Sequence, residues 1–343
     1  TTGQPKGVDV SHTALSSRLN WIIEHWGLTS DDRSLQATQI NFDPALIELL
    51  APLMVGGSVA FPEPGRLLPE RLPGLINQFN ATMMAFVPAT LTRFIDGVED
   101  NLDSTLRVCC CGGEVLSTDV ATRFIKATNA RLYNVYGPTE ATIFCTAWQV
   151  HLQREKTRNM PLGKAISDTQ IMIVDAEHNI LPFGVVGEII IAGECLANGY
   201  IDNELETDAK FKSISLWEKE QTFAYFSGDL GWLDTDGVLH FIGRADRQVK
   251  LRGYRIELSE IENALLRIEG ITQSAAKLVT HQGKSAIHAW YAPQHNDTHR
   301  VRAMLSKQLP DYMLPAKIQS QASLPLTTNG KIDFNKLYNE RFN

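Results

Sequence analysis

The sequence lacks several features that define whole classes of protein. Lysine and arginine total 32 against 39 aspartates and glutamates, and this net charge of −7 argues against nucleic-acid binding through bulk positive charge. No apolar run reaches the ~20 residues of a membrane-spanning helix, and no signal peptide, internal repeat or low-complexity linker is visible. With 43% hydrophobic and 21% charged residues, the 343-residue chain has a globular composition and a length typical of two domains.

Cysteine is scarce and unevenly placed. The five cysteines are Cys109, Cys110, Cys111, Cys145 and Cys195. Three of them are consecutive, which fits neither a disulfide framework nor the paired spacing of zinc ligands. We interpret the triplet as a buried strand of small apolar residues. Reduced cysteines in turn favour a cytoplasmic location.

The first seven residues, Thr-Thr-Gly-Gln-Pro-Lys-Gly, form a turn-rich opening that contains no methionine. This start predicts that the chain is a fragment of a longer protein. Hydroxyls, amides beside glycine and a lysine can together wrap a polyphosphate. The spacing is not that of a Walker P-loop, so an ordinary surface loop is the alternative.

Strands alternating with helices predict a layered α/β core in the first half of the chain. The helical periodicity after Ser11 and at 45–53 and 118–127, and the apolar runs at 82–87, 107–111 and 131–135, carry this prediction. Ligands in such sheets bind beyond the carboxyl ends of the strands. We therefore expect the Gly112-Gly113-Glu114 turn and residues 136–140 to lie at a ligand-binding edge.

The pattern then becomes β-rich, with strands predicted at 170–175, 187–192 and 238–242. A second domain is expected to begin near residues 244–250. It contains a helix at 259–266 with a capping box of Ser259 and Glu262, a hairpin of strands 275–280 and 285–292, and a helix at 301–309. The predicted fold class is thus α/β, with a large layered lobe, a β-rich subdomain and a small α+β C-terminal lobe.

Four further segments could carry chemistry. Residues 134–140 offer a tyrosine face for a purine, a threonine hydroxyl for a phosphate and a glutamate for Mg²⁺. Asp229, in Ser-Gly-Asp-Leu, could accept the hydroxyls of a ribose, although an aspartate in a turn is more often a backbone cap. The basic run at 243–258 and the Asn-Gly-Lys-Ile-Asp turn at 329–333 would each be unremarkable alone.

Together and in this order, these motifs resemble the adenylate-forming enzymes, and most closely the adenylation domains of nonribosomal peptide synthetases. The matching segments are residues 1–7, 42–43, 134–140, 187–200, 225–230, 243–262, 309–315 and 329–333. The resemblance implies that a large N-terminal section of the parent domain precedes residue 1. It also implies a core lobe at 1–246 that holds ATP and the amino acid, and a mobile lobe at 247–343 that carries a catalytic lysine.

The resemblance assigns roles to individual residues. The catalytic set is Lys331, Thr139 and Glu140, with Glu140 as the Mg²⁺ ligand and Asp246 as the hinge. ATP or AMP would contact Thr1, Thr2, Gly3, Lys6, Gly112, Gly113, Glu114, Asn134, Tyr136, Gly137, Thr139, Asp229, Phe241, Arg244 and Lys331. Lys331 would place positive charge between the substrate carboxylate and the α-phosphate. After the small lobe rotates, Gly253 and its neighbours would approach the phosphopantetheine arm of a carrier protein.

The amino-acid pocket is expected at Asp43, Pro44, Ile47, Ala85, Cys110, Gly112, Val135, Ile143 and Phe144. Asp43 would pair with the α-ammonium of the substrate. The other positions are apolar or small, which predicts an amino acid with an apolar side chain. Three positions depart from the family pattern, namely Ser227 in place of threonine, Ser259 in place of glycine, and Pro44 after Asp43.

The implied partners are an amino acid, a peptidyl carrier protein and neighbouring synthetase domains, with neither nucleic acid nor membrane. The resemblance leaves open whether a small MbtH-like protein takes part. Two alternatives also stay open, a stand-alone acyl- or aryl-CoA ligase and a non-catalytic nucleotide-binding module. Asp43 and residues 134–140 and 252–258 favour the peptide-synthetase branch, and the presence of Glu140, Asp229 and Lys331 argues against a non-catalytic module.

Overall fold

The computed structural model describes residues 6–63, 68–98, 104–151, 157–216, 220–245, 247–281, 284–293, 297–327 and 332–339. Their backbone divides into two compact units. The first spans Lys6–Ala245, and the second begins after Ala245. The functions expected of the two lobes stay predictions.

A mixed sheet forms the centre of the first unit. In the described part of the chain it has seven strands, in the spatial order Ser58–Ala60, Arg33–Leu35, Met83–Phe86, Val108–Gly112, Arg131–Tyr136, Thr146–Gln149 and Lys164–Ala165. The first five are parallel, and the last two are antiparallel to their neighbours. The cysteine triplet lies in Val108–Gly112 and is fully buried, as the sequence predicted.

Helices cover this sheet, and their ends follow local sequence signals. Ser11 caps the first helix by accepting from the Ala14 amide at 3.1 Å, and Gly27 ends it with a φ of 59°. The helices of this unit are His12–Trp26, Pro44–Met54, Leu72–Phe79, Pro88–Asp96, Thr118–Thr128 and Glu204–Lys210, with 3₁₀ turns at Pro69–Arg71 and Thr139–Ala141. Two apolar clusters fill the space on either side of the sheet.

The β-rich segment forms an antiparallel sheet within the same unit. Its strands are Thr169–Val174, Gly187–Gly193, Phe211–Leu216, Glu220–Leu233 and Leu239–Arg244, and Gly187–Gly193 lies between Thr169–Val174 and Glu220–Leu233. A separate pair, Val8–Asp9 with Gly199–Tyr200, joins the start of the described chain to this region. The predicted fold class, with its layered α/β part and β-rich part, is confirmed.

The second unit has its own α+β core. Strands Gln248–Leu251 and Tyr254–Glu257 form a hairpin, and Gln273–His281, Lys284–Ala292 and Lys317–Ser320 form a sheet. The helices are Leu258–Leu266, Thr298–Leu305 and Phe334–Asn339, with a 3₁₀ turn at Asp311–Met313. Ile256, Ile261, Leu265, Tyr291 and Val301 are fully buried between these elements.

The predicted helices and hairpin of this unit are present, but three details of the prediction were wrong. The helix at 258–266 does not begin with the predicted capping box. Its N-cap is Glu257 and its first residue is Leu258, so Ser259 lies inside the helix. Its Glu262 carboxylate binds Arg247 and the Ala276 amide instead. The hairpin strands extend to a His281–Lys284 pair, which shortens the predicted turn. The last predicted helix is Thr298–Leu305, because Asp297 caps it earlier than expected.

No helix in the described ranges combines the length and the apolar character needed to cross a membrane.

Candidate active site

Two neighbouring parallel strands end in the loops that carry predicted ATP contacts. Val108–Gly112 and Arg131–Tyr136 are paired with Gly112 opposite Val135, so both loops start at the same sheet edge. Gly113 follows with a φ of 88°, a left-handed conformation that favours glycine. The sequence-based placement of these loops at the carboxyl ends of parallel strands is confirmed.

Close backbone packing fixes the turn that follows Tyr136. A Cβ atom on Gly137 would lie 2.4 Å from the Phe144 Cα, so any larger residue would displace the turn. The 3₁₀ turn Thr139–Ala141 comes next, and it buries Glu140 while Thr139 stays partly exposed. The turn therefore presents a hydroxyl and a carboxylate from one short rigid segment.

Asp229 is the centre of a buried, hydrogen-bonded polar cluster. It is 2% exposed and accepts from the Tyr136 hydroxyl at 2.7 Å and from the Arg244 guanidinium at 2.6 Å. Its amide donates to the Ser227 hydroxyl at 3.0 Å, and that hydroxyl donates to the Ile189 carbonyl at 2.6 Å. The serine that replaces the family's threonine thus keeps the hydroxyl bonded, and the predicted ribose acceptor is rigidly held.

Other predicted nucleotide contacts surround this cluster. Burial and the neighbouring Asp229 raise the pKa of Tyr136, which keeps its phenol protonated as a donor. Phe241 packs against the apolar cluster that includes Tyr136. Asn134 is buried and donates its side-chain amide to the Pro161 carbonyl at 2.7 Å. Glu114 is half-buried beyond the Gly112-Gly113 turn.

The Glu140 carboxylate is held by a tyrosine to which the sequence analysis gave no role. Tyr200 donates its hydroxyl to Glu140 Oε1 at 2.5 Å, and the Ala197 amide donates to the Glu140 carbonyl at 2.9 Å. Burial, followed by the charge of Glu140, raises the pKa of Tyr200, so its phenol stays a donor. Tyr200 was present in the motif at 187–200, but nothing in the pattern paired it with Glu140.

Lys6 approaches the same place from the start of the chain. Its ammonium lies 5.4 Å from the centre of the Tyr200 ring and 2.8 Å from the Glu206 carboxylate. The structure therefore brings together a predicted phosphate ligand and, through Tyr200, the predicted metal ligand. The other residues of the predicted phosphate loop, Thr1, Thr2 and Gly3, lie outside the described residues.

A Mg²⁺ ion fits this arrangement chemically. Mg²⁺ in nucleotide sites takes one or two carboxylates, with substrate phosphates and water supplying the remaining oxygens. Glu140 offers one carboxylate from a fixed turn, and in the described part of the chain no group of three or more His, Cys, Asp or Glu could hold a metal by itself. The residues present suit an ion shared with ATP rather than a resident metal centre.

The carboxylate of Asp43 is incompletely paired among the described residues. Asp43 precedes helix Pro44–Met54 as the N-cap, yet its side chain makes no capping hydrogen bond, and Oδ2 is buried with no hydrogen-bond partner among the described residues. Burial, followed by the charge of Glu140, raises the pKa of Asp43 to about 6, against the effect of hydrogen bonds from Thr139 and the Ile143 backbone. A half-buried aspartate with one buried oxygen that lacks a hydrogen-bond partner thus lies beside the 139–140 turn.

The predicted pocket positions gather beside Asp43. Six of them belong to one buried cluster, namely Ile47, Ala85, Cys110, Val135, Ile143 and Phe144. Pro44 is partly exposed at the start of the helix, and a Cβ on Gly112 would lie 2.8 Å from the Val135 side chain. Burial raises the pKa of Cys110, which keeps it a neutral thiol. These six positions therefore pack together as an apolar group, and their role in lining a pocket stays a prediction.

Glu48 was missed by the sequence analysis. It is fully buried and accepts from the amides of Ala37 and Thr38 at 3.0 and 2.9 Å, and from the Ala85 amide at 3.3 Å. Burial raises its pKa to about 7. An acid directly after Ile47 in an otherwise apolar helix was the available signal. Glu48 therefore links helix Pro44–Met54 to strand Met83–Phe86 through its hydrogen bond with the Ala85 amide.

The remaining predictions concern the second unit. Its turn between Leu251 and Tyr254 contains Arg252 and Gly253, with φ values of 55° and 82°. The Tyr254 ring stacks on Tyr312 with centroids 4.1 Å apart. The predicted hinge Asp246 and the predicted catalytic Lys331 both lie outside the described residues, so their roles stay predictions.

Known proteins resemble this chain in sequence. The family described as AMP-binding enzyme matches residues 1–201, and its C-terminal domain matches residues 260–331. Tyrocidine synthase 3 of Brevibacillus parabrevis is 36% identical over 338 residues, which cover 97% of this chain and 5% of that protein.

Solved structures agree with these sequence matches. The chain is 28% identical to holo-PA1221, an NRPS protein containing adenylation and PCP domains, with a TM-score of 0.87 over 99% of this chain and 58% of that chain. It is 25% identical to the Vibrio cholerae adenylation domain AlmE in complex with glycyl-adenosine-5'-phosphate, with a TM-score of 0.86 over 99% of this chain and 64% of that chain. The chain spans less than two thirds of each of these three proteins. The predicted resemblance to synthetase adenylation domains is confirmed, and the chain belongs to the AMP-binding enzyme family.

Proposed function

We propose that this chain forms the greater part of an amino-acid-activating domain of a nonribosomal peptide synthetase. The domain joins the carboxylate of an amino acid with an apolar side chain to the α-phosphate of ATP and releases pyrophosphate. The family match and the synthetase relatives support an adenylating ligase. The observation that carries the amino-acid part is the incompletely paired Asp43 carboxylate, which adjoins both the 139–140 turn and an apolar cluster.

The first unit supplies binding and orientation. Asp43 accepts the substrate ammonium, which provides the positive charge that its buried oxygen lacks. Thr139 donates its hydroxyl toward the α-phosphate, and Asp229 accepts from the ribose hydroxyls with its remaining lone pairs. Glu140 would hold a Mg²⁺ ion that neutralises phosphate charge when bound. Each of these groups sits on a turn or strand whose backbone is already fixed, so little ordering is needed on binding.

The chemical step brings two anions together, and it therefore needs a cation between them. We assign this to Lys331, which lies beyond the described residues. Asp246 serves as the hinge, and a rotation there lets the second unit serve adenylation first and thioester formation afterwards. In the second step a carrier-protein thiol attacks the acyl carbon of the adenylate, and AMP leaves. A cytoplasmic location fits this chemistry, because ATP and reduced thiols are both present there.

The decisive experiment is amino-acid-dependent exchange of labelled pyrophosphate into ATP by the whole protein. We expect exchange with one or a few apolar amino acids, and none with fatty or aryl acids. Exchange with fatty or aryl acids alone would indicate a CoA ligase, and no exchange with any acid would indicate a non-catalytic module. Lys331→Ala should abolish exchange yet leave transfer of the acyl group from supplied aminoacyl-AMP to the carrier thiol.

A further inference from the structure

Two consecutive residues that follow the 139–141 turn have an unusual backbone conformation. Thr142 and Ile143 have φ values of 54° and 69°, in the left-handed region that glycine adopts readily and β-branched residues rarely adopt. Both residues are buried in the first unit. Such a conformation costs free energy and persists only where surrounding contacts enforce it. Other parts of the fold must therefore hold this pair in place.

The strained pair connects the backbone to the predicted amino-acid pocket. The Phe144 amide donates to the Thr142 carbonyl at 2.9 Å, which closes a tight three-residue turn around Ile143. The Ile143 amide donates to the Asp43 carboxylate. The Ile143 and Phe144 side chains pack in the same buried cluster as Ile47. One short turn thus gives an amide to the predicted anchor and two side chains to the predicted lining.

The side chain of Thr142 fastens this turn to a distant loop. Its Oγ1 donates to the Cys195 carbonyl at 2.8 Å, and both residues are buried. Cys195 lies two positions after strand Gly187–Gly193, which belongs to the antiparallel sheet. Removing a buried donor leaves the desolvation of its acceptor uncompensated, so this contact resists being broken. The hydroxyl therefore holds the first residue of the strained turn.

A buried guanidinium contacts the other end of the turn. Arg18, on helix His12–Trp26, is fully buried and donates to the Phe144 carbonyl at 3.5 Å and to the Ser167 carbonyl. The next residue is also fixed, because the Cys145 amide donates to the Tyr136 carbonyl at 2.8 Å. The strained turn is thus held at both ends by groups that lie outside the predicted pocket.

We infer that Thr142 is a positioning residue for the amino-acid pocket. Its hydroxyl, bonded to the Cys195 carbonyl, keeps the Ile143 amide directed at Asp43. The same contact fixes the orientation of the Ile143 and Phe144 side chains in the lining. This inference rests on the proposed function, because it takes Asp43 and the lining in the roles proposed above.

The test removes the hydroxyl with little change of shape and measures pyrophosphate exchange in the whole protein. We expect Thr142→Val to raise the KM for the amino acid about five- to twentyfold, the effect of losing one buried hydrogen bond. The KM for ATP should change less than about twofold, because the turn contacts the amino-acid pocket. Selectivity among apolar amino acids should fall as well. Thr142→Ser keeps a hydroxyl and should restore most of the affinity.

Thr128→Val is the matched control for a merely structural role. Thr128 is also buried, and its hydroxyl donates to the Phe124 carbonyl at 2.8 Å, within helix Thr118–Thr128. This variant should lose stability in urea denaturation but keep the wild-type KM for both substrates. If Thr142→Val fails to fold, Thr142→Ala removes the same hydroxyl without adding bulk and gives the same comparison.

Three results would overturn the inference. They are an unchanged KM for the amino acid when the Thr142 hydroxyl is removed, an equal rise in the KM for ATP, and a similar rise in Thr128→Val. A wild-type protein that exchanges with fatty or aryl acids alone would instead refute the proposed function, and the inference with it.

Discussion

Two aspartates in the first unit have opposite surroundings. Asp229 is bonded by a phenol and a guanidinium, both within 2.7 Å. Asp43 retains a buried oxygen without a hydrogen-bond partner among the described residues, and its pKa rises to about 6. Since a buried charge is costly unless it is paired, the two sites cannot serve the same purpose.

Asp229 already has a cationic partner in Arg244, whereas one oxygen of Asp43 has no hydrogen-bond partner among the described residues. The partners of Asp229 are already in place, which suits that carboxylate to the role proposed above as an acceptor for neutral hydroxyls. Asp43 gains most from a positively charged ligand, because such a ligand offsets the cost of its burial. A free amino acid carries that charge on its ammonium group, whereas a fatty acid does not. The contrast therefore points to a zwitterionic substrate.

The largest expected effect is on stability, at Asp229. Asp229→Ala leaves the Arg244 guanidinium, whose side chain is 8% exposed, without its carboxylate. Breaking a buried pair in this way typically costs about 3–5 kcal/mol. Urea denaturation should show a loss of that size, whereas Asp43→Ala should cost much less because it removes a poorly paired charge. Similar losses in the two variants would show that the contrast between the sites is wrong.

The next effect is on substrate binding, at Asp43. Asp43→Ala should raise the KM for the amino acid by about 10- to 150-fold, the value of a charge-assisted hydrogen bond of 1.5–3 kcal/mol. The KM for ATP should stay unchanged. The matching acid without the α-amino group is the control, and its weak activity should be the same in both proteins. Unchanged selectivity between the two acids would remove Asp43 from the pocket.

A smaller effect follows from pH. Below about 6 the Asp43 carboxyl is protonated and cannot pair with an ammonium, so the KM for the amino acid should rise as pH falls. Between pH 7 and pH 5 the ionised fraction of Asp43 falls about tenfold, so the KM for the amino acid should rise about tenfold. Asp43→Asn should flatten the profile. The effect of Asp43 on stability changes with pH in the opposite direction to its effect on binding. Because the pKa of Asp43 is raised in the folded state, the protonated carboxyl stabilises the fold, and this stabilisation is lost as pH rises through about 6.

The fold could be predicted where local signals were strong. The cap at Ser11, the helix expected at 45–53 and the buried cysteine strand are observed as His12–Trp26, Pro44–Met54 and Val108–Gly112. Prediction failed where a long-range partner took over a local signal. Glu262 looked like half of a capping box, but it binds Arg247, which lies 15 positions earlier in the chain. No periodicity reports such a pairing.

In the candidate site, too, local signals were predictable from the sequence and long-range partners were not. Motif order indicated which residues matter, and the structure places Gly112 and Tyr136 at one sheet edge, with Asp229 of the second sheet bonded to Tyr136. The partners that set their chemistry were not visible in the sequence, because they lie far away along the chain. Tyr200 reaches Glu140 across 60 positions, and Glu48 reaches the Ala85 amide across 37. Only folding creates these contacts, so sequence reasoning could name Glu140 but not the tyrosine that holds it, and it missed Glu48.

The smallest expected effect tests whether Glu140 is held in place as firmly as Asp229. Tyr200→Phe keeps the ring, which lies 5.4 Å from the Lys6 ammonium, and removes only the hydroxyl that donates to Glu140. Because a single hydrogen bond to a carboxylate is lost and water can replace it, we expect the Mg²⁺ concentration for half-maximal exchange to rise by about three- to tenfold. The KM for the amino acid should not change. Glu206→Gln is the matched control, since it removes the ion pair with Lys6 but leaves the hydroxyl in place, and it should affect ATP rather than Mg²⁺. An unchanged Mg²⁺ dependence in Tyr200→Phe would mean that the turn at 139–141 orients Glu140 without help.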